Sequence, residues 1–386
     1  MHMADALISP AAAGTMYACS ALAAAYSVKK IRLEDSPQLA PAMGVCGSFV
    51  FAAQMINFTI PGTGSSGHLC GGMLLSAMLG PHAGFLTMIA ILLIQCLVFA
   101  DGGLLALGCN IWNMAFYGCF LGGLVIWRSF MRQGVTRRKI IAASVLGSVL
   151  SLQLGAFSVT LETTLSGVTE LPFPVFLAAM QPIHLAIGLV EGAVTAAVLV
   201  FVYEARPELL WTGEAVRTPY AVPGTASVSG TAGSAVSAVG DAAAVSAGSS
   251  AGGAAESFGS SMGGAAGGFR GRLSRKATLG VLLAAAVITA GGLSLLASSF
   301  PDGLEWSIQR LTGSTELETA GGAAAVAEQI QSATAVLPDY AFPNSDSALG
   351  TSVSGLAGGA IVIALCLAFG YVLRLFRRRE TAGADR

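Results

Sequence analysis

The sequence predicts an all-α integral membrane protein: a seven-helix bundle followed by a two-helix C-terminal module. Three observations carry that expectation. Hydrophobic residues make up 54% of the 386-residue chain and charged residues only 11%, against about 25% charged in a soluble domain. The apolar residues gather into nine runs, most of them near the length that crosses a bilayer. Lys and Arg fall in short clusters between those runs, and such clusters mark cytoplasmic loops. A net charge of -1 gives no reason to expect a nucleic-acid partner; the expected surroundings are membrane lipid.

Taken in order, the runs cover 8–28, 39–58, 68–80, 82–100, 103–127, 140–160 and 179–203, then 277–299 and 352–374. The third is short for a span of about 20 residues, so it crosses tilted or broken, or re-enters. Lys29 and Lys30 follow the first run, Arg137, Arg138 and Lys139 precede the sixth, and Arg275 and Lys276 precede the eighth. With the N terminus outside and nine crossings, only Arg310 of the 20 Lys and Arg residues falls in an external loop. The C terminus is then cytoplasmic. The first basic residues follow the first apolar run, so a cleaved signal peptide is not expected, and Met1 is the expected mature N terminus.

Domain boundaries follow composition. Residues 1–205 form one membrane module and 276–386 a second. Residues 206–275 between them hold a long Ala/Gly/Ser stretch without bulky periodicity and read as a flexible cytoplasmic linker. The seven cysteines show no CxxC pair, so they read as small packing residues rather than a disulfide or thiolate framework.

The residues that could carry chemistry are few. Of four histidines, His2 opens the chain and His68 lies in the turn "PGTGSSGHLCGG", and the topology puts both outside. The Met1 amine, the His2 backbone nitrogen and His2 Nδ1 can chelate one ion through a five- and a six-membered ring. These donors lie nearly in a plane and leave one corner, which a second imidazole such as His68 could fill. Planar nitrogen coordination suits Ni(II) or Cu(II) better than tetrahedral Zn(II). Asp5 either neutralises such a site or caps the first helix. Asp101 sits at an outer turn, and Asn110 and Asn113 in the next helix either glue helices or line the site. His184 reads as a packing histidine or as outer support for a ligand; His82 reads as a turn residue. Glu191, seven residues after His184, is either a functional candidate as an acid within a span or a helix-to-helix bond.

The stretches "MHMADALISP", "GTGSSGHLCGG", "LGPHAGFL", "FADGGLLALGCNIWNM" and "QPIHLAIGLVEGAVTAA" together resemble the CbiM/NikM family, the substrate-specific (S) components of energy-coupling factor transporters for cobalt and nickel. The resemblance implies metal binding through Met1, His2 and His68. It also implies a transmembrane coupling subunit and two ATPase subunits as partners, in the cell (inner) membrane of a bacterium or archaeon. "FPDGLEWSIQRL" and "LPDYAFP" look like the PDGLE-type, NikN-like small subunit, here fused. Ala4-Asp5-Ala6 replaces the family's usual Pro-Asp-Gly or Met-Glu-Gly triplet, and the Ala/Gly/Ser linker lies outside its pattern. No GxxxxGK[ST] loop occurs, so ATP hydrolysis is expected elsewhere. The leading expectation is a Ni(II) importer subunit with no organic cofactor, not an enzyme. Co(II) is the alternative substrate. A membrane metalloenzyme is disfavoured, because neither HExxH nor clustered carboxylates occur.

Overall fold

A computed structural model describes residues 1–31, 38–213, 273–315, 317, 322–343, 347 and 349–384. Most of the 206–275 linker lies outside the described residues. Its first part is seated: Leu209 and Leu210 are buried, the Trp211 N–H donates to Ala77 O, and Trp127 Nε1 donates to Trp211 O.

The N-terminal module contains α1 (Pro10–Lys30), α2 (Leu39–Gln54), a hairpin of β1 (Phe58–Ile60) and β2 (Ser65–Gly67), and α3 (Gly72–Leu79). It continues with α4 (Pro81–Phe99), α5 (Leu107–Met131), α6 (Arg137–Ser166) and α7 (Phe173–Ala205). The C-terminal module contributes α8 (Arg275–Gly291), α9 (Gly303–Thr312), α10 (Gly322–Thr334) and α11 (Leu349–Ala384). Among the described residues, α4, α5, α6, α7 and the first 27 residues of α11 are long and apolar enough to cross a membrane. The chain is an all-α membrane protein.

Helix α6 shows why these elements suit lipid. Leu146, Leu150, Leu154, Phe157 and Leu161 form an exposed apolar stripe at helical spacing, while Ser144, Ser148, Ser151 and Ser158 are buried. Small polar residues turned inward and leucines turned outward are the pattern of a helix packed on helices within hydrocarbon.

The third predicted run is broken. Residues 55–71 form the hairpin and a turn, and only the eight residues of α3 are helical. Two glycines permit this path. Gly71 has φ +79° and a Cβ there would meet Val50 at 2.3 Å. Gly72 faces Gly118 of α5 so closely that a Cβ on either would meet the other's Cα at 2.8–3.0 Å.

The residues on either side of 214–272 pack together. Helix α11 lies against α2, α4 and α8, with Gly358 against the Phe51 ring and Val362 beside Gly47. Residues 298–301 dock on the hairpin: Ser66 N–H donates to Pro301 O at 2.8 Å, and Ser298 N–H donates to Asn57 O at 2.7 Å. The C-terminal module thereby reaches the turn that carries His68.

Candidate metal centre

The first five residues thread into the bundle and are held by backbone contacts. Asn110 grips Met3 from both sides: its Oδ1 accepts from Met3 N–H at 2.7 Å and its Nδ2 donates to Met3 O at 3.1 Å. Gly103 N–H also donates to Met3 O, at 2.9 Å. Asp5 accepts from Ala106 N–H at 3.0 Å. It does not cap α1, because Ser9 holds that position and accepts from Ala12 N–H. Met1 and Met3 are buried, so the N terminus is anchored on both sides of His2.

His68 arrives from the opposite side. Its Nδ1–H donates to Leu69 O at 3.1 Å, which leaves the Nε2 lone pair free. That Nε2 lies 3.0 Å from the Met1 amine. The turn is fixed by Glu191 of α7, which accepts from Cys70 N–H at 2.7 Å and Gly71 N–H at 3.2 Å. The intramembrane acid thus holds the backbone beside a candidate ligand. The His2 and His68 rings stack with centroids 5.1 Å apart.

His2 Nδ1 lies 3.0 Å from Asp101 Oδ1, and Asp101 Oδ2 accepts from the Tyr340 hydroxyl at 2.5 Å. His2 Nε2 lies 3.2 Å from Gln95 Oε1, and Gln95 in turn donates to Gln54. Both His2 nitrogens therefore face oxygen atoms, Nδ1 toward Asp101 and Nε2 toward Gln95. Asp302, from the C-terminal module, accepts from the Met1 amine at 2.5 Å through Oδ2, which also lies 3.8 Å from His68 Nε2.

The electrostatics separate the donors. Burial, reinforced by the Met1 ammonium, lowers His2 and His68 to about 3, so both imidazoles are neutral near pH 7. Burial also opposes charge on the Met1 amine, but Asp302 outweighs it and raises the amine above its ordinary value. Burial works against the Asp302 carboxylate too; the Met1 ammonium and His68 hold it well below the usual range. Asp101 is raised by burial.

Of the remaining sequence candidates, Asn113 donates to Glu162 at 2.7 Å between α5 and α6 and touches neither histidine. His184 Nδ1–H donates to Met180 O at 2.8 Å. It packs close to the site, since a Cβ on Gly303 would meet its Cε1 at 3.1 Å. His82 lies beside Ser27 and Tyr26, which places it at the other end of α1. Sequence reasoning missed Gln54 and Gln95, although amides within apolar spans are a usable signal.

A cavity of about 660 Å³ opens over His2 and His68, and its acidic lining residues are Asp5, Asp101, Asp302, Glu305, Glu328 and Asp339. A cleft carrying one sign of charge raises the local concentration of the opposite ion. The arrangement can therefore gather cations at a mouth whose floor presents nitrogen donors.

A family model described as "Cobalt uptake substrate-specific transmembrane region" matches residues 2–209, and one described as "PDGLE domain" matches residues 276–375. The chain is 37% identical over 210 residues to the "Putative fused nickel transport protein NikMN" of Archaeoglobus fulgidus, covering 54% of this chain and 68% of that protein. It is 32% identical over 209 residues to the "Cobalt transport protein CbiM" of Sorangium cellulosum, covering 51% and 87%. It is 30% identical over 234 residues to the "Fused nickel transport protein NikMN" of Rhodobacter capsulatus, covering 57% and 66%. Among solved structures, the "Crystal Structure of an Truncated Transition metal Transporter" is similar at 30% identity and TM-score 0.46, covering 53% of this chain and 99% of that one.

Proposed function

Because the chain belongs to the CbiM family of substrate-specific transmembrane proteins, and is a multi-pass transport protein rather than an enzyme, we propose that it captures Ni(II) for an energy-coupling factor importer. The ion is held by the Met1 amine, the His2 backbone nitrogen, His2 Nδ1 and His68 Nε2. The observation that carries this reading is the 3.0 Å separation of the Met1 amine and His68 Nε2. A square of nitrogens about 2.0 Å from a metal has edges of about 2.8 Å, so these two atoms stand as neighbouring corners. The neutral imidazoles offer lone pairs without first losing a proton. With the ion bound, the His2 ring carries its one hydrogen on Nε2, which donates to Gln95 Oε1, and Nδ1 gives its lone pair to the ion.

In this reading residues 1–205 hold the ion, 276–386 cover the mouth, and 206–275 tether the two on the cytoplasmic side. The N terminus faces outside, where the solute arrives. A transmembrane coupling subunit and two ATPase subunits supply the driving force. Nickel is favoured by the planar donor set and by the two fused NikMN relatives named for nickel transport. Co(II) is the second reading, and a specific observation favours it: Asp302 Oδ2 stands 2.5 Å from the Met1 amine, and an added oxygen suits an ion that accepts five or six donors. Copper would bind the nitrogens more tightly still, so selectivity rests on cavity geometry and supply.

The test is calorimetric nickel titration of the purified chain against a form carrying one residue before Met1. The extended form loses the free amine and with it high-affinity binding. Equal affinity would contradict the chelate. His68→Ala should bind more weakly while keeping the three-donor chelate of Met1 and His2.

A further inference from the structure

Asp302 is built as more than a surface charge. Its Oδ1 caps α9, accepting from Leu304 N–H and Glu305 N–H, each at 2.8 Å, while Glu305 returns a bond from Asp302 N–H at 3.0 Å. This reciprocal cap fixes the carboxylate. Its other oxygen points away from the helix, toward the Met1 amine and His68 Nε2. The preceding residues are tied to β2, with Ser66 Oγ donating to Phe300 O at 2.7 Å. Trp306 Nε1 donates to Thr63 O at 3.0 Å. Asp302 and His68 are thus carried on two segments hydrogen-bonded to each other, although they belong to different modules.

The triangle formed by the Met1 amine, His68 Nε2 and Asp302 Oδ2 has sides of 3.0, 2.5 and 3.8 Å. An ion about 2.0 Å from both nitrogens can lie about 2.0 Å from Oδ2, within the ordinary range for a carboxylate ligand. Charge favours the same contact. A divalent ion bound to a deprotonated backbone nitrogen leaves one net positive charge in a buried site, and the Asp302 carboxylate cancels it.

Resting on the chelate reading above, we propose that Asp302 is an oxygen donor to the transported ion, contributed by the C-terminal module to the nitrogen site of the N-terminal one. In the empty protein the carboxylate pairs with the Met1 ammonium. On loading, the Met1 amine and the His2 backbone nitrogen each release one proton to solvent, the ion takes their place, and Oδ2 binds the ion as a fifth donor. No electron is transferred. The C-terminal module then helps to define the coordination number, and so the selectivity, of the site.

The test uses the full chain, purified in detergent and loaded with Ni(II), compared with Asp302→Asn and Asp302→Ser. Both replacements are good helix caps, so α9 keeps its start while the anionic oxygen is lost. Magnetic susceptibility and the visible spectrum read the coordination. The loaded parent should be paramagnetic, as five-coordinate Ni(II) commonly is. Both variants should bind one ion and convert to the diamagnetic state with the spectrum of square-planar nickel. Identical spin state and spectrum in all three chains would overturn the proposal, whether all were paramagnetic or all diamagnetic. A parent chain that binds no nickel would overturn the chelate reading and this inference with it, and that outcome is distinct from unchanged spectra.

Discussion

The N-terminal segment and the described residues of the C-terminal module between 298 and 340 reach the same cavity but are held there by different forces. Met3 and Asp5 are fixed by neutral partners inside the bundle: the Asn110 side-chain amide and the backbone N–H groups of Gly103 and Ala106. At the mouth the C-terminal module attaches through ionisable or polar side chains. Asp302 meets the Met1 amine, Tyr340 meets Asp101, and Gln331 Nε2 donates to Gly102 O at 2.7 Å. The first region sets where nitrogen donors lie and leaves them little freedom. The second sets the charge and access around them. A metal site divided this way can keep its chelate constant while its covering module tunes the ion admitted.

That division can be broken from either side. The largest effect is expected from Asn110→Ala, which frees both backbone groups of Met3 and lets the chelating residues drift. Losing an outer-shell support costs about 10–100-fold in metal affinity, and titration of the variant should show a loss of that size. Tyr340→Phe probes the other side. It removes one bond to Asp101 and leaves His2 in place, so nickel affinity should stay within about threefold. Thermal unfolding should show a loss of about 1.5 kcal/mol, the lower end for a hydrogen bond to a charged group. A larger affinity loss in Tyr340→Phe than in Asn110→Ala would reverse the comparison. The smallest effect is expected from His82→Ala, since His82 touches Ser27 and Tyr26 far from the donors. Its nickel titration should match the parent chain.

Much of the first region is legible in the sequence. Apolar runs and Lys/Arg clusters place the helices, and parity puts His2, His68 and Asp101 on one side. The glycines of "PGTGSSGHLCGG" signal a tight turn, and the structure supplies the reason: Gly71 needs a positive φ and Gly72 a bare approach to Gly118. The second region is less legible. "FPDGLEWSIQRL" marks the module by resemblance alone, and the target of the free Asp302 oxygen lies 301 residues away in the chain. No periodicity encodes such a meeting. Asp5 shows the same limit, because a helix cap and an anchor for Ala106 look alike in one dimension. Glu191 was visible as an intramembrane acid, yet its role in holding Cys70 and Gly71 depends on how α7 packs against the turn.

The number of protons released when nickel binds reports which nitrogens hold the ion. Burial and the Met1 ammonium lower His2 and His68 to about 3, so above about pH 5 these rings carry no extra proton to lose. The Met1 amine, raised by Asp302, is protonated at neutral pH, and the His2 backbone nitrogen must lose its hydrogen to bind. Each ion should therefore release two protons between pH 6 and 7.5, and the affinity should rise about a hundredfold per pH unit. Calorimetric titration in buffers of different ionisation enthalpy measures that number. Two protons per ion is the result expected of an amine–amide–imidazole chelate. One would remove the backbone nitrogen from the ligand set, and none would place the ion on side chains alone and contradict the account.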